Sequence, residues 1–321
     1  MLRRWALPGD SLDAVVLGST FLDVVLDYDR EYIRGGNSVY SGRTCFGGGG
    51  ANVAYYASAL GASVGLISAI GSDPLGDVIA SHLERKGVRF LGVRSDRGST
   101  GSVIVLRHPD GERSFLVLLG PYEDLSIDYV VNTIRLARPR VVFLHGYWLE
   151  ARHLSELLSA AAQEAKRGGS HVLFDPGAYN LVKQHLEFVR EAILPYTDVL
   201  IPNEEELAAM TGASSPEKAA RMLADLGIRR AAVKLGPRGA LVIDGGRIAR
   251  VPPHPAKRVS SVGAGDSFDA AIVYGVSRGM NLESAARLGN MLAARVVECF
   301  CAQCEDAWRY ARRLASSFHK R

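Results

Sequence analysis

Toward the C-terminal end of the chain, the run Val262-Gly263-Ala264-Gly265-Asp266-Ser267 leads into an apolar helical pattern. Glycines just ahead of a helix leave successive backbone N–H groups and the positive end of the helix dipole aimed at one point, where a phosphate or its transition-state charge is stabilised. Asp266 falls in the first turn. A carboxylate there can simply cap the helix; beside an anion-binding turn it can also accept the proton of a hydroxyl that attacks a phosphoryl group. Far upstream stands Gly47-Gly48-Gly49-Gly50-Ala51-Asn52, followed by a second helical pattern. Four glycines keep side chains out of the way of a ligand approaching the backbone. Asn52, at the helix start, offers both a donor and an acceptor to a polyol. The plain alternative for this run is a flexible turn.

Between these segments lie Asn203-Glu204-Glu205-Glu206 and Lys234-Leu235-Gly236-Pro237-Arg238-Gly239, and nearer the N-terminus Gly18-Ser19-Thr20-Phe21-Leu22-Asp23. Taken in order, the five segments resemble the ribokinase, or PfkB, family of carbohydrate kinases. The segments starting at Gly47 and Ser260 are similar to its two signature regions, the third to its N-x-x-E element, the fourth to its T-x-G-x-x-G nucleotide loop. The last looks like the strand end that places an Asp in the sugar site. The resemblance covers nearly the whole chain, and ordered matches carry far more weight than any one of them alone.

The resemblance implies a ribokinase-like α/β fold and ATP-dependent transfer of the γ-phosphoryl group to a hydroxyl of a small carbohydrate. It implies Asp266 as catalytic base and Gly263, Ala264 and Gly265 as the backbone anion hole. Asp23, Gly48, Gly49 and Asn52 match positions that hold sugar hydroxyls. Asn203 and Glu206 match the element that organises Mg2+ and phosphate through water. Lys234, Gly236 and Gly239 belong to the nucleotide loop, and Asn290 falls on the late helix that flanks the adenine. ATP and Mg2+ are the implied cofactors.

The chain departs from the pattern in places. Ser260 stands where the family usually has an Asp that supports a monovalent-cation site, which leaves a requirement for such a cation doubtful. Cys299, Phe300 and Cys301 replace the usual glycine turn of the C-terminal loop. Gly49 stands where sugar kinases often carry a polar residue. Lys234 replaces a common Thr and is open to two readings, a cation near the nucleotide phosphates or a salt bridge. Three alternatives compete with a sugar kinase. A nucleoside kinase would clamp its base with Tyr40, Phe46 or Tyr55, residues equally suited to packing. A kinase of a sugar phosphate, such as a pentose 1-phosphate, would use Arg43, Arg107 or Arg113. A ligand-binding regulator would keep the fold without turnover.

Positioning these residues requires a scaffold, and its elements can be read. Apolar, β-branched runs at residues 13–18, 63–70, 140–144, 171–174, 198–201 and 231–235 predict buried strands. Amphipathic patterns at 75–86, 151–166, 216–226, 282–297 and 304–317 predict helices between and after them. This alternation predicts a central, mostly parallel sheet covered by helices on both faces. Residues 24–45 and 100–119, the latter with a Pro-Asp-Gly turn at Pro109–Gly111, read as antiparallel strands of a small β-sheet lid within one kinase domain spanning residues 1–321. A homodimer through that lid is expected from the resemblance.

The 321 residues carry a formal net charge of +4, and basic and acidic residues are interspersed. No basic run marks a nucleic-acid surface. No apolar stretch reaches the roughly 20 residues that span a bilayer, and residues 1–10 lack a signal-peptide core. The expectation is a cytoplasmic protein with neither nucleic acid nor membrane as partner. Cys45 stands alone, while Cys299, Cys301 and Cys304 form a C-x-C-x-x-C cluster. Four cysteines are too few for a secreted disulfide framework, so buried helix-end cysteines or a single disulfide are expected ahead of a zinc or redox site.

Overall fold

A computed structural model describes residues 11–110, 113–257 and 259–318. The reading of residues 1–10, and Gly111 in the expected turn, lie outside the described residues. Among the described residues there are fifteen strands: β1 Ala14–Leu17, β2 Phe21–Asp27, β3 Gly42–Gly47, β4 Val64–Ile67, β5 Ala69–Gly71, β6 Val88–Phe90, β7 Val93–Ser95, β8 Ser102–Arg107, β9 Arg113–Leu118, β10 Val141–His145, β11 His171–Asp175, β12 Val199–Leu200, β13 Arg230–Lys234, β14 Ala240–Asp244 and β15 Arg247–Val251.

Nine of them form the central sheet in the order β15-β14-β13-β12-β11-β10-β1-β4-β6. From β13 to β6 every pairing is parallel. The apolar runs explain this arrangement, because successive residues of one strand face two different cores and both must be covered. Val15 and Leu17 pack with Leu144 and Phe174 on one face, while Ala14 and Val16 pack with Phe143 and Leu173 on the other. Helices Gly49–Ala59, Ala264–Ser277 and Leu282–Val296 cover that second face. Two details differ from the sequence reading. The run 63–70 breaks at Ser68, so β4 joins the central sheet while β5 pairs with β7. The β14–β15 hairpin, turned by Gly245 and Gly246, adds an antiparallel edge that a search for buried parallel strands passes over.

The small sheet runs β3-β2-β8-β9. Its outer pairs are antiparallel, as expected, but β2 and β8 pair in parallel. The chain leaves β3 into the Gly49–Ala59 helix, passes through β4 to β7, and returns in the direction of β2. Such a return produces a parallel pair.

The cysteines also depart from the reading. Cys45 is bonded to Cys301 and Cys299 to Cys304, giving two disulfides where at most one was expected. Cys45 had no partner nearby in sequence; its partner lies 256 positions away and is brought to it by the fold.

Candidate active site

The first cluster is built where β1, β3 and β10 end and β2 begins, beside the start of the Ala264–Ser277 helix. Gly263 caps that helix in the left-handed region, φ 79°, and a side chain there would strike the Cβ of Ala302 at 2.8 Å. Only glycine combines this backbone with this approach. The first-turn N–H groups of Gly265 and Asp266 have no intrahelical acceptor. Asp266 follows with its side chain 19% exposed. Its two carboxylate oxygens are engaged differently: Asn52 Nδ2 donates to Oδ2 at 2.7 Å, and His145 Nε2 lies 3.4 Å from Oδ1.

His145, which the sequence reading missed, ends β10 and is fully buried. Burial works against its charge, but the bonded Asp266 carboxylate and nearby Asp175 outweigh burial and raise its pKa above the ordinary histidine value. A side chain on Gly49 would begin 2.1 Å from His145 Nε2. The departure at Gly49 is thereby explained: the imidazole occupies the space that a residue 49 side chain would need.

Asp23, in β2, sits opposite Cys45 across the β2–β3 pair. Burial, and secondarily the charge of Asp266, push its carboxyl up to about 7. Gly48 caps the Gly49–Ala59 helix, so Asp23, Gly48, Gly49, Asn52 and Asp266 converge on one cleft. Beside it lies a pocket lined by Asp23, Val25, Val105, Arg107, Ser260 and Phe300, among others. Phe300 receives the guanidinium groups of Arg43 and Arg107 at 5.0 and 4.8 Å from its ring centre. Arg107 is also bonded to Asp27. The Arg113 side chain lies outside the described residues.

The second cluster lies behind the turn. Lys234 Nζ donates to Asp175 at 2.8 Å and reaches Asp269 at 3.3 Å. It thus forms the salt bridge of its two readings, and it also stands 3.7 Å from where a Gly265 side chain would begin. Burial opposes the charge of both carboxyls. Asp175 is nonetheless held low by Lys234, whereas Asp269 is raised by burial and by the Asp175 charge. Of the two, Asp269 is the carboxyl whose surroundings favour the protonated form.

Asn203 and Glu206 form a complete capping box. Asn203 Oδ1 accepts from the Glu206 N–H at 2.8 Å, while the Asn203 N–H and Nδ2 donate to Glu206 at 2.8 and 2.6 Å. Burial, then Asp175, push Glu206 up to about 7. Gly236 and Gly239 bracket a tight turn after β13. Asn290 donates from Nδ2 to the carbonyls of Pro252 at 2.8 Å and Val251 at 3.3 Å, which ties its helix to the end of β15. Among the described residues, no three His, Cys, Asp or Glu side chains gather to hold a metal ion. Mg2+ is commonly carried by substrate phosphates, water and one or two carboxylates, and Glu206, buried beside Asn203, offers a carboxyl of that kind.

The three candidates for an aromatic clamp in the nucleoside-kinase alternative all pack against other rings of the chain. Tyr40 stacks on Tyr28, while Phe46 and Tyr55 lie parallel to the His82 ring at 3.7 and 5.7 Å. Phe300 is the aromatic residue that lines the pocket. Its neighbours in the C-x-C-x-x-C cluster were the signal that could have drawn attention to it.

Residues 11–307 match the model of the pfkB family carbohydrate kinases. The chain is similar to an uncharacterized sugar kinase of Archaeoglobus fulgidus, 30% identical over 247 residues that make up 77% of this chain and 96% of that one. It is similar to the solved structure of a ribokinase from Thermotoga maritima at 25% identity, with a TM-score of 0.77 and coverage of 97% and 100% of the two chains. It also shares the fold of Arabidopsis thaliana ribokinase complexed with ribose and ATP, at 24% identity, TM-score 0.76, and coverage of 95% and 99%. No helix among the described residues is long and apolar enough to cross a membrane.

Proposed function

Since the chain belongs to the pfkB family of carbohydrate kinases, ATP-dependent phosphotransferases that act on sugar hydroxyls, we propose that it phosphorylates a hydroxyl of a small free sugar with Asp266 as the base. The observation that carries this reading is the convergence of Asp266, Asn52 and Asp23 on one cleft at the mouth of the Gly263–Gly265 turn. In the proposed reaction the acceptor hydroxyl lies between these three side chains. Asp266 takes its proton as the oxygen bonds to the γ-phosphorus and the bond from that phosphorus to the β-phosphate bridging oxygen breaks. The N–H groups of the turn stabilise charge spreading over the equatorial oxygens, where preorganised donors count most. Lys234 reinforces that end of the helix from behind.

Asp23, held near 7, can both donate to and accept from a sugar hydroxyl at neutral pH. ATP would lie across the far side of the turn, along Gly236 and Gly239 and toward the helix of Asn290. Mg2+, reached through water from Asn203 and Glu206, would neutralise phosphate charge. The small sheet acts as a lid that excludes water from the transfer. Its edge strand β9 leaves Phe115, Leu116, Val117 and Leu118 uncovered, a feature that supports pairing with a second copy.

The test is an ADP-release screen with Mg-ATP against free pentoses and hexoses, nucleosides, and sugar phosphates, with Asp266→Asn in parallel. Turnover on a free sugar that the variant abolishes is the expected result. Turnover confined to nucleosides or to sugar phosphates replaces the acceptor class, and undiminished turnover by Asp266→Asn overturns the base assignment.

A further inference from the structure

The loop from Cys299 to Cys304 touches the site through Phe300 in the pocket wall and Ala302 against Gly263, and it is held at several further points. Cys301 is bonded to Cys45 of β3, and Cys299 to Cys304. The buried Tyr56 hydroxyl donates to the Ala302 carbonyl at 2.7 Å and accepts from the Cys304 N–H at 3.2 Å. Between these anchors Gln303 is presented to Asn52: its Nε2 donates to Asn52 Oδ1 at 3.0 Å, and its Oε1 faces His82 Nε2 at 2.8 Å.

The directions of these bonds follow from the carboxylate outward. Ionised Asp266 can only accept, so Asn52 must turn its Nδ2 toward it, which leaves Oδ1 for Gln303. Gln303 must then answer with Nε2 and show Oε1 to His82, which must carry a proton on Nε2. Phe46 and Tyr55 fix the plane of that ring by lying parallel to it. Burial, with Lys86 and Arg85 nearby, lowers the His82 pKa and keeps the ring neutral, so the chain ends in a neutral donor. We propose that Gln303 is a positioning residue for phosphoryl transfer, orienting the Asn52 amide so that its N–H is aimed at Asp266, with His82 orienting Gln303 in turn. The inference rests on the reading of Asp266 as the base.

Gln303→Glu reverses one link at nearly constant shape. A carboxylate at that position can only accept, so either Asn52 turns its carbonyl oxygen toward Asp266 or two acceptors face each other. In the first case Asp266 loses its donor; in the second the donor is held only against a repelling pair of acceptors; and in both the added carboxylate charge favours a proton on Asp266. The other charged and titratable groups around Asp266 are left in place: His145 from β10, Asp23 from β2, Lys234 from β13, Asp269 on its own helix, and the Tyr56 and Tyr147 hydroxyls.

The experiment is the pH profile of kcat/KM from pH 5 to 9, using D-ribose or the acceptor identified by the screen, for the parent, Gln303→Glu, Gln303→Met and Asp266→Asn. For Gln303→Glu the acid limb should move up by about one pH unit, giving up to roughly tenfold loss on the acid side of the limb that is recovered on its alkaline side. Gln303→Met should lose several-fold in kcat without that displacement, and KM for ATP should stay within about twofold in both. A Gln303→Glu profile that parallels the parent, lowered or not, overturns the proposal. If Gln303→Glu fails to fold by thermal melt, His82→Phe, which keeps the stack and removes the terminal donor, should displace the acid limb in the same direction by less; no displacement is then the overturning result. Asp266→Asn separates the two failures: retained transfer there sinks the base assignment, whereas its loss beside parallel profiles sinks only the role of Gln303.

Discussion

Asp266 and Asp269 lie one turn apart on the same helix and carry the same chemical group, but their surroundings differ at every point. Asp266 opens to the cleft and meets the neutral amide of Asn52 and the imidazole of His145. Asp269 is sealed behind it against Lys234 and Asp175, with no exposed side-chain surface. One carboxyl is left a face open to the cleft; the surroundings of the other favour its protonated form. Burial and partners, rather than residue type or helix position, decide which of the two can act as a base.

Four substitutions sharpen or break that comparison. Asp266→Asn should cut kcat by about 10²–10⁴-fold while the melting temperature stays close to that of the parent, since the amide still fits between Asn52 and His145. Lys234→Met should cost about 3–5 kcal/mol in urea unfolding, because the Asp175 charge would be left buried without its cation.

Asp23→Asn tests the acceptor side. The folded protein keeps a proton on Asp23 up to about pH 7 that the unfolded chain releases near its ordinary value of 3.8. The carboxyl's burial therefore erodes stability as pH rises between those values, and the full penalty stands above them. The variant should gain on the parent from pH 4 to pH 8, by up to about 4 kcal/mol at pH 8; equal stability at both ends contradicts the raised pKa. Asp269→Asn should change stability least, by under about 1 kcal/mol, because a neutral amide replaces a neutral acid. A cost matching that of Lys234→Met would mean that Asp269 is charged and the contrast with Asp266 is false.

The parallel core was legible because strands covered on both faces must be apolar throughout, and the runs ending at Leu17, Leu144 and Phe174 advertise it. Asp266, Asn52 and Asp23 were singled out by motifs in a fixed order that resemble a family's, and the fold brings the first two into contact and the third close enough to feel the Asp266 charge. His145 was not, since a histidine ending an apolar strand looks the same whether it meets a carboxylate or packs in the core. Gln303 and the Lys234–Asp175–Asp269 cluster depend on partners far away in sequence, which periodicity does not register. The same blindness explains the cysteines: local spacing drew attention to the three near the C-terminus, while the partner of Cys301 was the isolated Cys45.

That last bond gives the molecule a topology different from that of a linear chain. Cys45 and Cys301 close a covalent ring 256 positions around, which takes in every strand of the central sheet but β1 and the whole of the helix carrying Asp266. A single proteolytic cut in an exposed turn of this ring, such as that at Gly245–Gly246, opens it without separating it into pieces. The nicked protein would migrate as one species until a reductant is added and two fragments appear.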